Sequence, residues 1–423
     1  MDRFIIPAEA RSWIAVPADS HFPIQNLPFG AGFRIDEDSD SVETVEAVAI
    51  GSYALDLAVL AEEGLIDFEP GPVPFAWVNF DGPEGLIALR RQVYDLLRED
   101  NPKLRDRKTL REEALIPLSE LHMTLPMPPR AFVDFYSGIH HASNVGKMFR
   151  PDQPPLLPNY RHLPIGYNGR ASSVVPSEEP ITRPNGIQKI GEDIVFGPCK
   201  ELDFELEMGY YAGGENMMGE PIPIEETEDY ILGCVLVNDW SARDVQRFEY
   251  VPLGPFLAKS FATTISPWLV TIDALEPFRC AGMPQDPQPL PHLRQPGKGH
   301  FDIHLEVSIQ TPAMRKPQVI CRSNTKNLYW SFAQQLAHQT SNGTPIEVGD
   351  LYASGTISGE TPDSFGSLLE LTWRGQQPLQ LESGETRTFL EDGDIVTMTG
   401  WCQGDGYRVG FGECSGEIIS LEG

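Results

Sequence analysis

The chain has 423 residues, 41% hydrophobic and 22% charged, the composition of a folded protein with a substantial core. Its 61 acidic side chains against 32 Lys and Arg give a formal charge of −29; such a surface repels phosphate backbones and anionic lipids and argues against nucleic-acid and membrane-surface roles. The 38 Gly and 38 Pro favour many turns, few long helices and a β-rich fold.

The first residues, Met1-Asp2-Arg3-Phe4-Ile5-Ile6, lack the basic and apolar regions of a signal peptide. The longest uncharged stretch, Asn327–Ile346, carries Asn, Gln, His and Ser and is no membrane span. Cys199, Cys234, Cys280, Cys321, Cys402 and Cys414 form no C-x-x-C and no zinc-ligand spacing. A reduced cytoplasmic protein is expected.

In chain order, residues 1–80 read as short strands, with Val45–Ile50 and Tyr53–Val59 forming a hairpin about Gly51-Ser52. Leu86, Leu89, Val93, Leu96 and Leu97 recur at helical spacing and predict a helix over Pro83–Asp100, ended by Asn101-Pro102. The extended, proline-bearing stretch Ile116–Pro129 places a domain boundary near 125, with units 1–125 and 126–423.

In the second unit, Phe132–Arg150 reads as partly helical, and a helix there would place Asp134 and His141 on one face. Such a pair suits acid–base chemistry, or is simply two surface residues. Cys199–Met208 alternates, with Asp203, Glu205 and Glu207 on one strand face and Leu202, Phe204, Leu206 and Met208 on the other. Three adjacent carboxylates repel. Either the face is a solvated edge, which would normally mix in Lys or Thr, or a hard divalent cation relieves it. Tyr230–Asn238 is an apolar run of buried-strand length, and Asp239 is the first charge after it, with Arg243 four residues on. Asp239 is then a functional acid, or the cap of a helix starting at Trp240.

Lys259 is the only cation from Tyr250 to Ile272 and must snorkel or pair with an acid. Leu328–Leu336 reads as a helix closed by Ser341-Asn342-Gly343, while Leu351–Thr356, Leu368–Trp373, Ile395–Thr399 and Ile418–Leu421 read as strands. On such a strand Glu370 would point inward with Leu368 and Thr372. The glycine-rich stretches 353–359 and 403–412 match neither a Walker nor a Rossmann loop and read as tight turns with backbone N–H groups facing a ligand. A sandwich or rolled sheet fits this order better than a doubly wound one.

Several of these passages together resemble the fumarylacetoacetase (fumarylacetoacetate hydrolase) family. They are F-P-I-Q-N-L-P-F-G at 22–30, D-F-Y-S at 134–137, H-A-S-N-V-G at 141–146, L-P-I-G-Y-N-G-R-A-S-S at 163–173, E-L-E at 205–207 and N-D-W-S-A-R-D at 238–244. Y-V-P-L-G-P-F-L-A-K-S-F at 250–261, S-G-T-I-S-G at 354–359, S-F-G-S-L-L-E-L at 364–371 and Q-G-D-G-Y-R-V-G-F-G at 403–412 complete the set. The resemblance implies a small SH3-like β-barrel over 1–125, then a large catalytic, metal-binding domain of rolled mixed β-sheet over 126–423. It also implies a homodimer and a place in tyrosine and phenylalanine catabolism. The reaction would be metal-dependent hydrolysis of the carbon–carbon bond of 4-fumarylacetoacetate, a dicarboxylic β-diketone, to fumarate and acetoacetate.

Carried over motif by motif, Asp134, Glu205, Glu207 and Asp239 would bind Ca2+. Asp239, Lys259 (through its carbonyl) and Thr263 would surround a Mg2+ site. His141 would be the general base, oriented by Glu370. Arg243, Gln246 and Lys259 would stand beside the reacting carbonyl. Tyr136, Arg150, Tyr167, Gln246, Tyr250 and Thr356 would hold the substrate. Asp203 receives no role. One rival is an acylpyruvate hydrolase, decarboxylase or isomerase on the same scaffold, which predicts a shorter chain without the barrel. The other is a non-catalytic calcium-dependent module, which leaves His141 and Glu370 unexplained.

Overall fold

The computed structural model describes residues 2–36, 41–71, 75 and 78–420. Its strands fall into two main sheets that share a core. The larger runs Leu115–Pro117, Tyr53–Asp56, Ser41–Ile50, Phe29–Asp36, Trp268–Thr271, Ile231–Asp239, Leu206–Ala212, Leu351–Ala353, Phe132–Phe135, Gly166–Asn168. The second runs Gln318–Asn324, His304–Gln310, Ile395–Gln403, Arg408–Ile419, Ile181–Thr182. The larger sheet is mixed: Phe132–Phe135 lies parallel to Leu351–Ala353 and antiparallel to Gly166–Asn168. The last strand stops at Ile419; Leu421, expected to continue it, lies outside the described residues.

The first four strands of that order are an antiparallel meander, with the hairpin closing at Ile50 opposite Tyr53. Its second arm ends at Asp56 rather than Val59, because the Asp56 carboxylate accepts from the N–H groups of Ala58 and Val59 and starts the helix Leu57–Glu62. The segment 115–123 bridges the two edges of the meander: Leu115–Pro117 pairs with Tyr53–Leu55, and His122–Met123 with Gly32–Phe33. The meander is therefore rolled, as an SH3-like unit requires, although no ladder closes it into a complete barrel among the described residues. Phe29 and Gly30 also pair with Leu269 and Trp268, which makes the meander continuous with the sheet that carries the site.

Ile231–Asp239 explains its own apolar run. Cys234 and Leu236 enter the core between the sheets, while Val235 and Val237 enter a second core beneath the N-terminal elements. A strand buried on both faces has no reason to alternate. The helix Val78–Leu97 supplies that second core with Leu86, Leu89, Val93, Leu96 and Leu97. Its regular course begins at Pro83, after Gly82 leaves helical geometry at φ 57°, and stops before the expected Asp100.

Several local expectations are corrected. Leu368–Trp373 is not a strand; Leu368–Leu371 is one helical turn, with Ser367 accepting from the Glu370 N–H at its start. The helix expected at Leu328 begins at Phe332 and runs to Thr340, because Ser331 and Gln334 form a reciprocal capping box. Asp239 caps no helix at Trp240; the next helix is Arg243–Glu249, after Ser241–Ala242 pairs with Leu202–Asp203. Asp134 and His141 do not share a helix face: Asp134 is on the strand Phe132–Phe135 and His141 on the helix Ile139–Phe149. The alternating stretch 199–208 is broken into Leu202–Asp203 and Leu206–Ala212.

Candidate active site

The mixed sheet brings three acids together from three strands. Asp134 lies opposite Ala353, Ala353 opposite Gly209, Glu207 opposite Val237, and Asp239 ends the adjoining strand. Ligand oxygens of Asp134, Glu207 and Asp239 lie within 4.8 Å of one another. Asp134 Oδ1, Glu207 Oε1 and Asp239 Oδ1 are buried with no hydrogen-bond partner. Burial, then the neighbouring carboxylates, push the Asp134 and Glu207 carboxyls well above the ordinary range. Asp239 is pushed up by burial too, against the pull of Lys259. Oxygen-only donors, crowded, buried and unsatisfied, fit a hard divalent cation. A solvated edge is excluded, since Asp203 and Glu207 are 0% and Glu205 5% exposed.

Glu205 is occupied differently. Its Oε2 accepts from the Lys259 ammonium, which also donates to Asp239 Oδ2. Its Oε1 lies 2.7 Å from Arg243 Nη1. Burial opposes ionisation of Glu205, but Lys259, Arg243 and His141 overcome it and hold the carboxyl below its usual range. Lys259 therefore pairs with acids and does not snorkel. Arg243 Nη1 also donates to Gln246 Oε1 at 3.2 Å, and Arg243 Nη2 is buried without a partner.

Beside this cluster His141 Nδ1 meets Glu370 Oε2 at 2.6 Å, while its Nε2 faces Glu205 Oε1 at 3.8 Å. Glu370 is fully surrounded by donors: Asn144 Nδ2 at 2.9 Å, Ser358 Oγ at 2.7 Å and Ser367 Oγ at 2.9 Å complete its shell. Burial alone would raise its carboxyl, but His141, Asn144 and Ser358 outweigh it and keep it below its ordinary range. An ionised Glu370 accepts only, so the Nδ1 of His141 carries a proton, and in the neutral ring Nε2 would present its lone pair towards the acidic cluster.

The remaining expected residues take varied places. The Tyr136 ring packs edge-on to His141, with centroids 5.5 Å apart. Tyr167 donates to Asp239 Oδ2 at 3.3 Å. Thr263 is the register partner of Asp239 and is buried. Thr356 Oγ1 and Arg150 Nε are buried without partners, although Arg150 Nη2 donates to the Pro155 carbonyl at 3.1 Å. Tyr250 is 46% exposed, at the end of the helix Arg243–Glu249. The holders of Glu370 were missed. Asn144 follows His141 by three residues on one helix, a spacing that puts both on one face.

The glycine-rich turn at 353–359 serves a residue of the chain itself. Gly355 donates its N–H to Glu207 Oε2 at 2.9 Å. Its φ is +78°, and a Cβ there would lie 2.3 Å from the Phe135 carbonyl oxygen. Gly355→Ala is therefore expected to cost at least about 1–3 kcal/mol of stability and to displace Glu207. Urea unfolding of the variant checks this; an unchanged midpoint would contradict the close approach.

A buried histidine held by a carboxylate, beside crowded acids with unsatisfied oxygens and paired cations, has the composition of an enzyme active site on a β-rich scaffold. The family model for the fumarylacetoacetate (FAA) hydrolase C-terminal region matches residues 130–418, and that for the fumarylacetoacetase N-terminal region matches 25–126. The chain is 47% identical over 424 residues to the fumarylacetoacetase of Dictyostelium discoideum, covering 97% of this chain and 98% of that one. It is 48% identical over 421 residues to that of Arabidopsis thaliana, with the same coverage. In fold it is similar to a structure named as an HpcE protein from Mycobacterium smegmatis, at a TM-score of 0.52 and 20% identity over 92% of this chain and 99% of that one. The chain belongs to the fumarylacetoacetase family.

Proposed function

We propose that the chain hydrolyses 4-fumarylacetoacetate to fumarate and acetoacetate, the last step of tyrosine and phenylalanine catabolism. The observation that carries the chemistry is the buried His141–Glu370 pair opening onto the acidic cluster; the substrate is the one named for the relatives. His141 Nε2 takes a proton from water as the water oxygen bonds to the carbonyl carbon of the fumaryl group, which becomes the new carboxylate of fumarate. Glu370 holds the ring and stabilises the imidazolium. Arg243, Gln246 and Lys259 supply donors to the oxyanion. The carbon–carbon bond then breaks, its electron pair passing to the acetoacetate carbon, which takes up a proton.

Asp134, Glu205, Glu207 and Asp239 would hold Ca2+, with Mg2+ at Asp239, Thr263 and the Lys259 carbonyl. A bound divalent cation would supply Lewis acidity towards the diketone oxygens. Tyr136, Arg150, Tyr167, Gln246, Tyr250 and Thr356 would hold the dianionic substrate, Arg150 through its forked donors. All these residues lie beyond 125, so the unit 126–423 is the catalytic one and 1–125 supports it. The chain would act as a cytoplasmic homodimer; Val251, Leu253, Phe256 and Leu257 are exposed apolar side chains of the kind a second copy covers. No described helix is long and apolar enough to cross a membrane.

The test is a steady-state assay of the purified chain with 4-fumarylacetoacetate. The reading requires loss of the β-diketone absorbance with fumarate and acetoacetate appearing in equal amounts. An inactive, folded protein would contradict it.

A further inference from the structure

We propose that Asp203 is a positioning residue for this reaction, tying Arg243 to the helical turn that carries Glu370; this rests on the roles just given to Glu370 and Arg243. Asp203 is 0% exposed and accepts from four donors. Oδ1 takes the N–H groups of Phe204 at 2.9 Å and Leu368 at 2.7 Å. Oδ2 takes the Leu369 N–H at 3.0 Å and Arg243 Nε at 2.9 Å. One carboxylate thus holds two strategic parts of the chain. On one side, the Leu368 and Leu369 amides open the single turn Leu368–Leu371, whose Glu370 orients His141. On the other, Arg243 extends Nη1 to Glu205 and to Gln246.

The arrangement leaves no room for an amide. Each oxygen faces two donors, so an Asn side chain turned either way presents its NH2 group to two more N–H groups. The turn at 368–371 is too short to hold its own direction by intrahelical bonds. Asp203 fixes that direction relative to Arg243, and hence sets the base side of the site against the oxyanion side.

The experiment compares kcat, KM and melting temperature in the full-length protein for D203N, R243Q, the double variant, wild type and H141A. D203N is expected to fold and to lose about 10²-fold in kcat, with KM within about threefold of wild type. Because Asp203 and Arg243 form one hydrogen-bonded unit, the double variant is expected to lose clearly less than the product of the two single losses. A folded D203N with kcat within about twofold of wild type, or losses that multiply in the double variant, would overturn the proposal. If D203N does not fold, D203E is read instead: it keeps the charge but displaces the amide contacts, and a fall in kcat with KM held is expected. Unchanged kcat in D203E, or failure of both variants to fold, assigns Asp203 to the fold alone and overturns the positioning role. An inactive wild type would overturn the functional reading itself, whereas an inactive H141A beside a fully active D203N would overturn only this inference.

Discussion

His141→Ala is expected to abolish turnover, by at least about 10²–10⁴-fold in kcat, the usual contribution of a positioned general base, while leaving the fold intact. Glu370 meets Nδ1 of His141 at 2.6 Å, which leaves Nε2, 3.8 Å from Glu205 Oε1, as the ring nitrogen that faces the cluster and can take a proton. Neighbouring Glu205 is engaged by Lys259 and Arg243 and is held ionised by them, which makes it a weak base. Removing the ring leaves Glu370 buried but still bonded to Asn144, Ser358 and Ser367, so it is not stranded. The variant should therefore melt close to wild type. The assay is kcat beside a thermal melt; a loss of less than tenfold in a folded variant would remove His141 from the mechanism.

Glu370→Gln is expected to damage catalysis far more than binding, in the direction of the serine-protease precedent, where the comparable change costs about 10⁴ in kcat. The amide can sit in two ways. With its NH2 group towards His141, the ring must accept at Nδ1 and carry its proton on Nε2, which removes the base. With its oxygen towards His141, the tautomer survives but no negative charge stabilises the imidazolium. KM should change little, since Glu370 is 1% exposed and is surrounded by its four side-chain partners. The competing view is that Glu370 only supports the fold. Measuring kcat, KM and melting temperature decides it: a large fall in melting temperature with kcat nearly unchanged would sink the orienting role.

What the sequence made legible follows from how local the causes were. Ile231–Asp239 was readable because burial on both faces writes an uninterrupted apolar run. The helix ending at Leu97 was readable from its leucine spacing, and the apolar half of 202–208 does enter the core as the alternation required. Glu370 was placed inward correctly but on the wrong element. The alternation of Leu368–Trp373 imitates a strand, whereas Ser367 three residues before Glu370 is the spacing of a helix start and decides the local structure. Seven residues make two helical turns, so the spacing alone pairs Asp134 with His141 on one helix, but the chain turns between Phe135 and Ile139. At Gly138 in that turn, a Cβ would lie 2.0 Å from the Thr356 carbonyl oxygen. Asp203 could not be read at all: its Leu368 and Leu369 partners are about 165 residues away in the chain and are backbone N–H groups, which carry no side-chain signature. The motifs named a site; only the fold shows which donor meets which acceptor.

Buried carboxylates are expected to hold a divalent cation beside the His141–Glu370 pair, with hydrolysis dependent on it. The most direct measurement is activity on 4-fumarylacetoacetate after exhaustive chelation, with metal content assayed, followed by return of Ca2+ or Mg2+. The wild type is expected to lose turnover on chelation and regain it on addition of the ion. Glu207→Gln, which alters an oxygen left without a partner in the cluster, should need at least about tenfold more metal for the same recovery. Full activity in a protein verified to be metal-free would contradict a metal requirement.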